Sequence, residues 1–86
     1  MRQFAARVDR NQEEIITALQ RTGWAVERIR QPTDLLIAKA GRMLLCEVKD
    51  GPKAKLRPSQ QRIIARGFPV IVIRSLDDVE RLNQVR

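Results

Sequence analysis

The apolar residues near the start of the chain recur at helical spacing. They predict a first helix over residues 9–22, with an apolar face formed by Val8, Ile15, Ile16 and Leu19. Asp9 or Asn11 would cap this helix, because each is followed three residues later by a Gln or Glu, which is the spacing of a capping box. Gly23 would end it, since glycine readily adopts the left-handed conformation found after helices.

The following segment reads as three strands. Residues 24–29 predict the first of them, and Pro32 closes that stretch. Two short apolar runs, 35–38 and 43–46, then lie on either side of Gly41. Runs of this length around a glycine are typical of two strands joined by a tight turn, so we expect a β-hairpin here.

The turn determines which side chains of the hairpin face one another. If it centres on Ala40-Gly41, Asp34 lies opposite Glu47, whereas a three-residue turn would place Asp34 opposite Val48. Side chains alternate along a strand, so Glu47 and Lys49 project to the same side. The first register therefore brings two acids and one ammonium group into one small volume.

Two acids and an ammonium group at the end of an apolar hairpin favour metal-assisted hydrolysis. Like charges directly opposed on a sheet repel each other, and a hard divalent cation between them would offset that repulsion. Glu-x-Lys alone also fits an ordinary solvent-facing strand. The strand before Glu47 is apolar on both faces, however, and charges at the end of such a strand need a partner or a metal.

The C-terminal half continues with a helix, a strand and a helix. Residues 50–52 break the third strand, and a second helix is predicted over residues 58–66, with Pro58 at its first position. Residues 68–73 are continuously apolar and predict a buried strand. Ser75 would cap the last helix, whose inward stripe is Leu76, Val79 and Leu82.

The resulting order, α-β-β-β-α-β plus a C-terminal helix, indicates an α/β fold. The last strand follows a helical crossover, so it should join parallel to a hairpin strand and make the sheet mixed. A chain of 86 residues suits one small domain, and no linker divides it, so we expect a single domain over residues 1–86.

Composition removes several kinds of chemistry. The chain has no histidine and no tyrosine, which excludes histidine bases, histidine zinc sites and tyrosine nucleophiles. The single cysteine, Cys46, lies inside an apolar run and is interpreted as a buried core thiol, with a nucleophile as the alternative. Any catalysis should therefore use carboxylates, lysine and a metal.

The charge balance points to a polyanionic partner. Seventeen Lys and Arg residues against ten Asp and Glu give a formal net charge of +7, which favours nucleic acid over a merely soluble basic surface. No apolar stretch approaches the ~20 residues of a membrane helix, so no membrane partner and a cytoplasmic location are expected. Trp24 is interpreted as a core or edge aromatic rather than a base-stacking platform.

The order of these elements, with Asp34 and Glu47-Val48-Lys49 on the hairpin, resembles the PD-(D/E)XK nuclease core, a restriction-endonuclease-like fold. Asn11-Gln12 and Leu-x-Pro-x-Gln at residues 56–60 resemble the small stand-alone VRR-NUC domains found mostly in bacteriophages. The resemblance covers roughly residues 8–82. It implies a metal-dependent, structure-selective endonuclease for branched DNA such as Holliday junctions, working as a homodimer in a bacterial host cell.

The resemblance also implies roles for individual residues. Asp34 and Glu47 would bind Mg²⁺ or Mn²⁺, and the backbone carbonyl of Val48 would be a further ligand. Lys49 would orient or deprotonate the attacking water. The Pro-Asp pair of the family is here Thr33-Asp34, which changes the backbone before the strand but keeps the acid.

Two glutamines have open interpretations. Related junction resolvases carry a glutamate in the first helix, at a position that falls on Gln12 here. Gln12 is either a capping-box partner or a residue that reaches the catalytic site, and Glu14 would replace it if the helix is rotated. Gln60 either approaches the site and the DNA or satisfies a backbone group.

Contacts to the DNA backbone are expected from basic residues and one amide: Arg7, Arg10, Lys53, Lys55, Arg57 and Gln60. The alternative function is a non-catalytic DNA-binding module or nuclease subunit that keeps the fold. A homodimer would bury aliphatic residues of the final strand and helix, which one small domain has difficulty covering alone.

Overall fold

Three helices and four strands occupy the described part of the chain, residues 2–51 and 55–84 of the computed structural model, with side chains described from residue 11 onward. The element order is α-β-β-β-α-β-α, as predicted. The bounds are α1 Arg2–Arg21, β1 Ala25–Arg28, β2 Leu35–Lys39, β3 Arg42–Val48, α2 Pro58–Ala65, β4 Val70–Ile73 and α3 Leu76–Gln84. Within these ranges, no helix combines the length and apolarity needed to cross a membrane.

Helix α1 is longer than the sequence pattern predicted. It begins at Arg2, so Asp9 and Asn11 lie inside the helix, and their prediction as N-caps is wrong. The capping-box role of Gln12 is wrong for the same reason. No Pro or Gly interrupts residues 2–21, and good helix formers continue the helix past the local capping signals.

The sheet has the order β1-β2-β3-β4 and is mixed, as predicted. β2 pairs antiparallel with both β1 and β3, while β3 pairs parallel with β4. The hairpin turn is a two-residue turn in which Ala40 and Gly41 have φ angles of 52° and 83°. Positive φ at both central residues is the type I′ geometry that matches the twist of paired strands. This turn sets the predicted register, with Lys39 opposite Arg42.

The two faces of the hairpin have different environments. Alternate side chains, Leu35 and Ile37 on β2 with Leu44 and Cys46 on β3, are buried in the core with α1 and α3. The remaining core residues are Ile15, Ile16, Leu19, Trp24, Ile73 and Val79. The intervening side chains project to the opposite face, where α2 borders an apolar groove of about 440 Å³.

Strand β4 is less buried than its apolar sequence predicted. Ile73 is buried, but Val70, Ile71 and Val72 are only half-buried, so the prediction of a fully buried strand is wrong for these three residues. The physical reason is the position of β4 at the edge of the sheet, where it has one neighbour, β3.

Asp78, three residues after the predicted cap Ser75, bonds to the backbone at the start of α3. The Asp78 carboxylate accepts a hydrogen bond from the backbone N–H of Arg74 at 2.7 Å. Ser75 precedes the helix and contributes its backbone carbonyl, which accepts from the N–H of Asp78 at 3.1 Å. Among the described contacts, the Ser75 side chain makes no capping bond, and the Asp78 carboxylate instead satisfies the backbone N–H of the residue before Ser75.

Candidate active site

The hairpin register brings Asp34 and Glu47 together. Leu35 pairs with Cys46 at the end of the β2–β3 ladder, and Asp34 and Glu47 occupy the next opposed position. The backbone N–H of Asp34 donates to Oε1 of Glu47 at 3.3 Å. In turn, Oδ2 of Asp34 accepts from the backbone N–H of Val48 at 2.9 Å. The predicted opposition of the two acids is confirmed, and the three-residue turn is excluded.

Lys49 lies on the same side of β3 as Glu47. Its Nζ is 3.2 Å from Oε2 of Glu47, and the two side chains are 16% and 6% exposed. Such a pair is screened less by solvent than a surface ion pair. Glu47 therefore uses one oxygen towards Lys49 and the other towards the backbone of Asp34.

Asp34 is the acid whose ionised form is disfavoured. Burial is the largest cause that raises its pKa above the usual 3.8, and the negative charge of Glu47 raises the pKa further. The hydrogen bond from Val48 and the positive charges of Lys49 and Arg57 act in the opposite direction. A bound cation would favour the ionised form in the same way as these positive charges.

The carboxylates of this site suit a hard divalent cation, although they would supply it with few protein ligands. Asp34 and Glu47 offer carboxylate oxygens, which Mg²⁺ and Mn²⁺ prefer. Within residues 11–51 and 55–84, no hydrogen bond engages Oδ1 of Asp34. The same described residues contain no group of three or more His, Cys, Asp or Glu residues that could hold a metal. Two acids, with the Val48 carbonyl as the expected third ligand, are therefore what the site offers.

Gln12 and Glu14 of α1 make no described contact with this pair of acids. Gln12 is half-buried and Glu14 is exposed. Glu14 borders a groove with Leu76 of α3, and its neighbour Glu13 forms an ion pair with Arg28. No contact among the described side chains connects Gln12 or Glu14 to Asp34, so a catalytic role for Gln12 remains a prediction.

The residues predicted to bind DNA lie in several environments. Lys55 and Arg57 are exposed in the segment before α2, and the charge of Arg57 reaches Asp34. Lys53 lies outside the described residues, and so do the side chains of Arg7 and Arg10 on α1. Of the basic residues predicted to bind DNA, Lys55 and Arg57 are therefore the two whose side chains the structure describes.

Gln60 is buried, with 0% exposure. Its Oε1 accepts from the backbone N–H of Arg57 at 3.1 Å, and its Nε2 donates to the carbonyl of Pro32 at 3.0 Å. Of the two interpretations left open by the sequence, the structure agrees with the one in which Gln60 satisfies backbone groups.

Cys46 and Trp24 are core residues, as expected. Cys46 has 0% exposure, and burial, followed by the charges of Asp34 and Glu47, raises its pKa to about 12. The thiol is therefore protonated near neutral pH and unsuited to nucleophilic attack. Trp24 is 4% exposed and donates from Nε1 to Oδ1 of Asn83 at 2.9 Å, which leaves no ring face for stacking on bases.

Sequence reasoning missed Arg74. This half-buried residue follows β4, and its Nη1 donates to the carbonyl of Gly51 at 2.8 Å. It thereby fixes the backbone shortly after Lys49. The parallel pairing of β3 and β4 was the available signal, because the ends of neighbouring parallel strands meet at one edge of a sheet.

Comparison with known proteins gave no relative that shares this geometry. No family model, curated protein or solved structure matched the chain. The functional interpretation therefore rests on the residues and contacts themselves.

Proposed function

We propose that this protein is a divalent-metal-dependent DNA endonuclease that hydrolyses phosphodiester bonds, similar to the small VRR-NUC domains of the PD-(D/E)XK type. The observation that carries the proposal is the close grouping of Asp34, Glu47 and Lys49 at one end of the β2–β3 hairpin. Like charges opposed in this way are unfavourable without a compensating cation. A site that tolerates such repulsion is a candidate for chemistry.

Each residue of the group has a distinct part in this proposal. Asp34 and Glu47 would hold Mg²⁺ or Mn²⁺, with the backbone carbonyl of Val48 as a further ligand. The cation would supply charge neutralisation at the scissile phosphate. Lys49, held 3.2 Å from Glu47, would orient or deprotonate the attacking water and stabilise negative charge that builds up on the phosphate.

Charge supports DNA as the substrate. The chain carries a formal net charge of +7, and exposed Lys55 and Arg57 precede α2, where the charge of Arg57 acts on Asp34. Such residues bind the phosphate backbone without reading bases. Because Trp24 is buried, base stacking does not contribute to binding through that residue. Selection by DNA shape, as at branched junctions, is consistent with this surface.

A homodimer is part of the proposal. Edge strand β4 is half-buried, and Met43, Phe68 and Leu76 are 58%, 46% and 52% exposed. Met43 and Phe68 border the groove on one face of the sheet, and Leu76 lies beside α1 on the other. A second copy could cover one of these apolar patches, and two-fold symmetry is the commonest arrangement of soluble oligomers. Two symmetry-related hairpins would then act on the two strands of a symmetric junction.

A non-catalytic DNA-binding subunit is the second candidate. Its support is the small number of acidic ligands: Glu13 and Glu14 lie away from Asp34, and Gln12 is neutral. A neutral amide is a weaker ligand for a hard cation than a carboxylate, which disfavours a tightly bound second metal.

One cleavage assay separates the two candidates. Labelled four-way junction, flap and linear duplex are incubated with the protein in Mg²⁺, Mn²⁺ or EDTA. The nuclease proposal expects metal-dependent nicks that are fastest on branched DNA. Binding to the same substrates without cleavage in either metal would instead support the DNA-binding subunit.

A further inference from the structure

Gln60 connects two backbone segments that flank the candidate active site. Its side-chain carbonyl accepts from Arg57 at 3.1 Å, and its side-chain amide donates to Pro32 at 3.0 Å. Pro32 lies two residues before Asp34, while Arg57 directly precedes α2. One buried amide thus joins the segment that carries a candidate metal ligand to the segment that carries a candidate phosphate ligand.

No other described hydrogen bond does what the Gln60–Pro32 bond does. Among residues 11–51 and 55–84, the bond from Gln60 to Pro32 is the hydrogen bond that links α2 and the segment before it to residues 29–34. Burying a primary amide is unfavourable unless its groups are bonded, and here both ends are satisfied. The two hydrogen bonds of the Gln60 amide therefore hold the start of α2 against the segment before Asp34.

The position of α2 matters because the two bonds of Gln60 place the backbone of Arg57 next to Pro32, two residues before Asp34. Burial raises the pKa of Asp34, and the positive charge of Arg57 is the smallest of the effects that lower it. Arg57 is exposed, so its guanidinium group can also meet a phosphate. A small rotation of α2 would move this charge relative to both carboxylates.

We propose that Gln60 is a positioning residue that holds Arg57 next to the backbone segment leading into Asp34, so that a phosphate bound by Arg57 meets the two acids. The proposal rests on the nuclease function given above. Gln60 itself touches neither DNA nor metal in this view, and its effect on cleavage passes through Arg57. This differs from a purely structural amide, whose loss would act independently of Arg57.

A double-mutant cycle tests the dependence on Arg57. Single-turnover rates on a labelled four-way junction in Mn²⁺ are measured for wild type, Gln60→Met, Arg57→Ala and the double variant. Methionine has similar length but can form neither bond. We expect Gln60→Met to slow cleavage roughly 10- to 100-fold, because small misplacements near the reacting groups have effects of that size. The double variant should match Arg57→Ala within about 2-fold, since coupled residues are not additive.

Gln61→Met is the matched control. Gln61 is exposed, and its amide donates to the carbonyl of Leu56 at 3.0 Å, within its own segment. Its rate should stay close to that of wild type. If the double variant is slower than Arg57→Ala by the full factor that Gln60→Met causes in the wild-type background, Gln60 acts independently and the proposal is wrong.

A second variant and a second readout cover the other outcomes. If Gln60→Met does not fold, as judged by circular dichroism, Gln60→Glu replaces it, because an ionised Glu can still accept from Arg57 but cannot donate to Pro32. If wild type cuts nothing, the nuclease proposal fails, and the same cycle is run on junction affinity in EDTA by fluorescence anisotropy. Coupled losses of affinity would support the positioning role, and additive or absent losses would overturn it.

Discussion

The backbone N–H of Asp34 donates to the carboxylate of Glu47 at 3.3 Å, so the two acids of the hairpin are joined by a hydrogen bond although their side chains carry like charge. The N–H of Val48 donates to Asp34 in the same manner at 2.9 Å. Backbone donors thus hold both carboxylates in place without neutralising either of them. Carboxylates fixed in this way would need little rearrangement to accept the proposed cation.

Replacing Asp34 or Lys49 with alanine should abolish cleavage while DNA affinity stays nearly intact. Removing one electrostatic contact to the reacting group typically lowers a rate by about 10²–10³. Asp34→Ala should bind DNA slightly more tightly, because a carboxylate that repels phosphate is lost. Single-turnover cleavage and anisotropy binding measure the two effects. Cutting at the wild-type rate by either variant would refute the catalytic assignment.

Asp34→Asn should stabilise the metal-free protein at pH 7. The pKa of Asp34 is raised in the fold, chiefly by burial, so the folded state holds this proton more tightly than the unfolded chain does. The ionised carboxylate is therefore unfavourable at pH 7, and its penalty is relieved as pH falls through the raised pKa towards 3.8. Asn keeps an acceptor for Val48 and has no charge.

Thermal melts of Asp34→Asn and wild type between pH 4 and pH 7 measure this effect. The difference in Tm should be largest at pH 7 and should shrink towards pH 4. Asp77→Asn is the control, since Asp77 is exposed at the start of α3. An Asp34→Asn variant that melts below wild type at pH 7 would contradict the expectation.

Mn²⁺ should raise the melting temperature of wild type and have little effect on Asp34→Asn. A ligand that binds only the folded state stabilises it by about 2.7 kcal/mol at a concentration 100 times its Kd. Asp77→Asn, which makes the same chemical change away from the hairpin, should keep the full metal response. Equal shifts for wild type and Asp34→Asn would place any metal elsewhere.

Replacing Lys53, Lys55 and Arg57 together with alanine should weaken the salt dependence of DNA binding. Each phosphate contact adds about 0.9 to the slope of log affinity against log salt, so the slope should flatten by roughly two to three. Arg21 and Arg81 lie on helices α1 and α3, and replacing both with alanine should change the salt slope less. An unchanged slope for the triple variant would move the DNA path to another surface.

Light scattering at micromolar concentration should give a mass near twice the 9.9 kDa of one chain. Leu76 was predicted on the inward stripe of α3, but it is 52% exposed, so that prediction is wrong for this residue. Leu76→Glu should therefore shift the equilibrium towards the monomer without disturbing the core. Circular dichroism confirms that this variant is folded. A monomeric mass for wild type, with and without junction DNA, would rule out the dimer.

The hairpin and its acids were predictable because their signals are local. Gly41 marks the turn, the flanking runs fix the strands, and counting back places Asp34 opposite Glu47. The burial of β4 was not predictable in this way, since its apolar sequence does not show whether a strand is central or at an edge. The start of α1 was misjudged because capping signals also occur inside helices.

The role of Gln60 was open for a different reason. Both of its partners are backbone groups, and the one at Pro32 lies 28 residues away in the sequence. Any residue type offers a carbonyl, so the sequence contains no pattern that identifies such a partner. Long-range contacts of a side chain with the backbone become visible only when the fold brings the two segments together.

The alternation of side chains along the hairpin separates the core from the acids. Leu35 and Cys46 face the helices, while their neighbours Asp34 and Glu47 lie on the opposite face. A substitution at either acid therefore leaves the apolar core against the helices in place, even though Glu47 is itself buried. A duplicated copy of such a gene could lose one acid through a single substitution and still encode a folded, positively charged partner for the active copy.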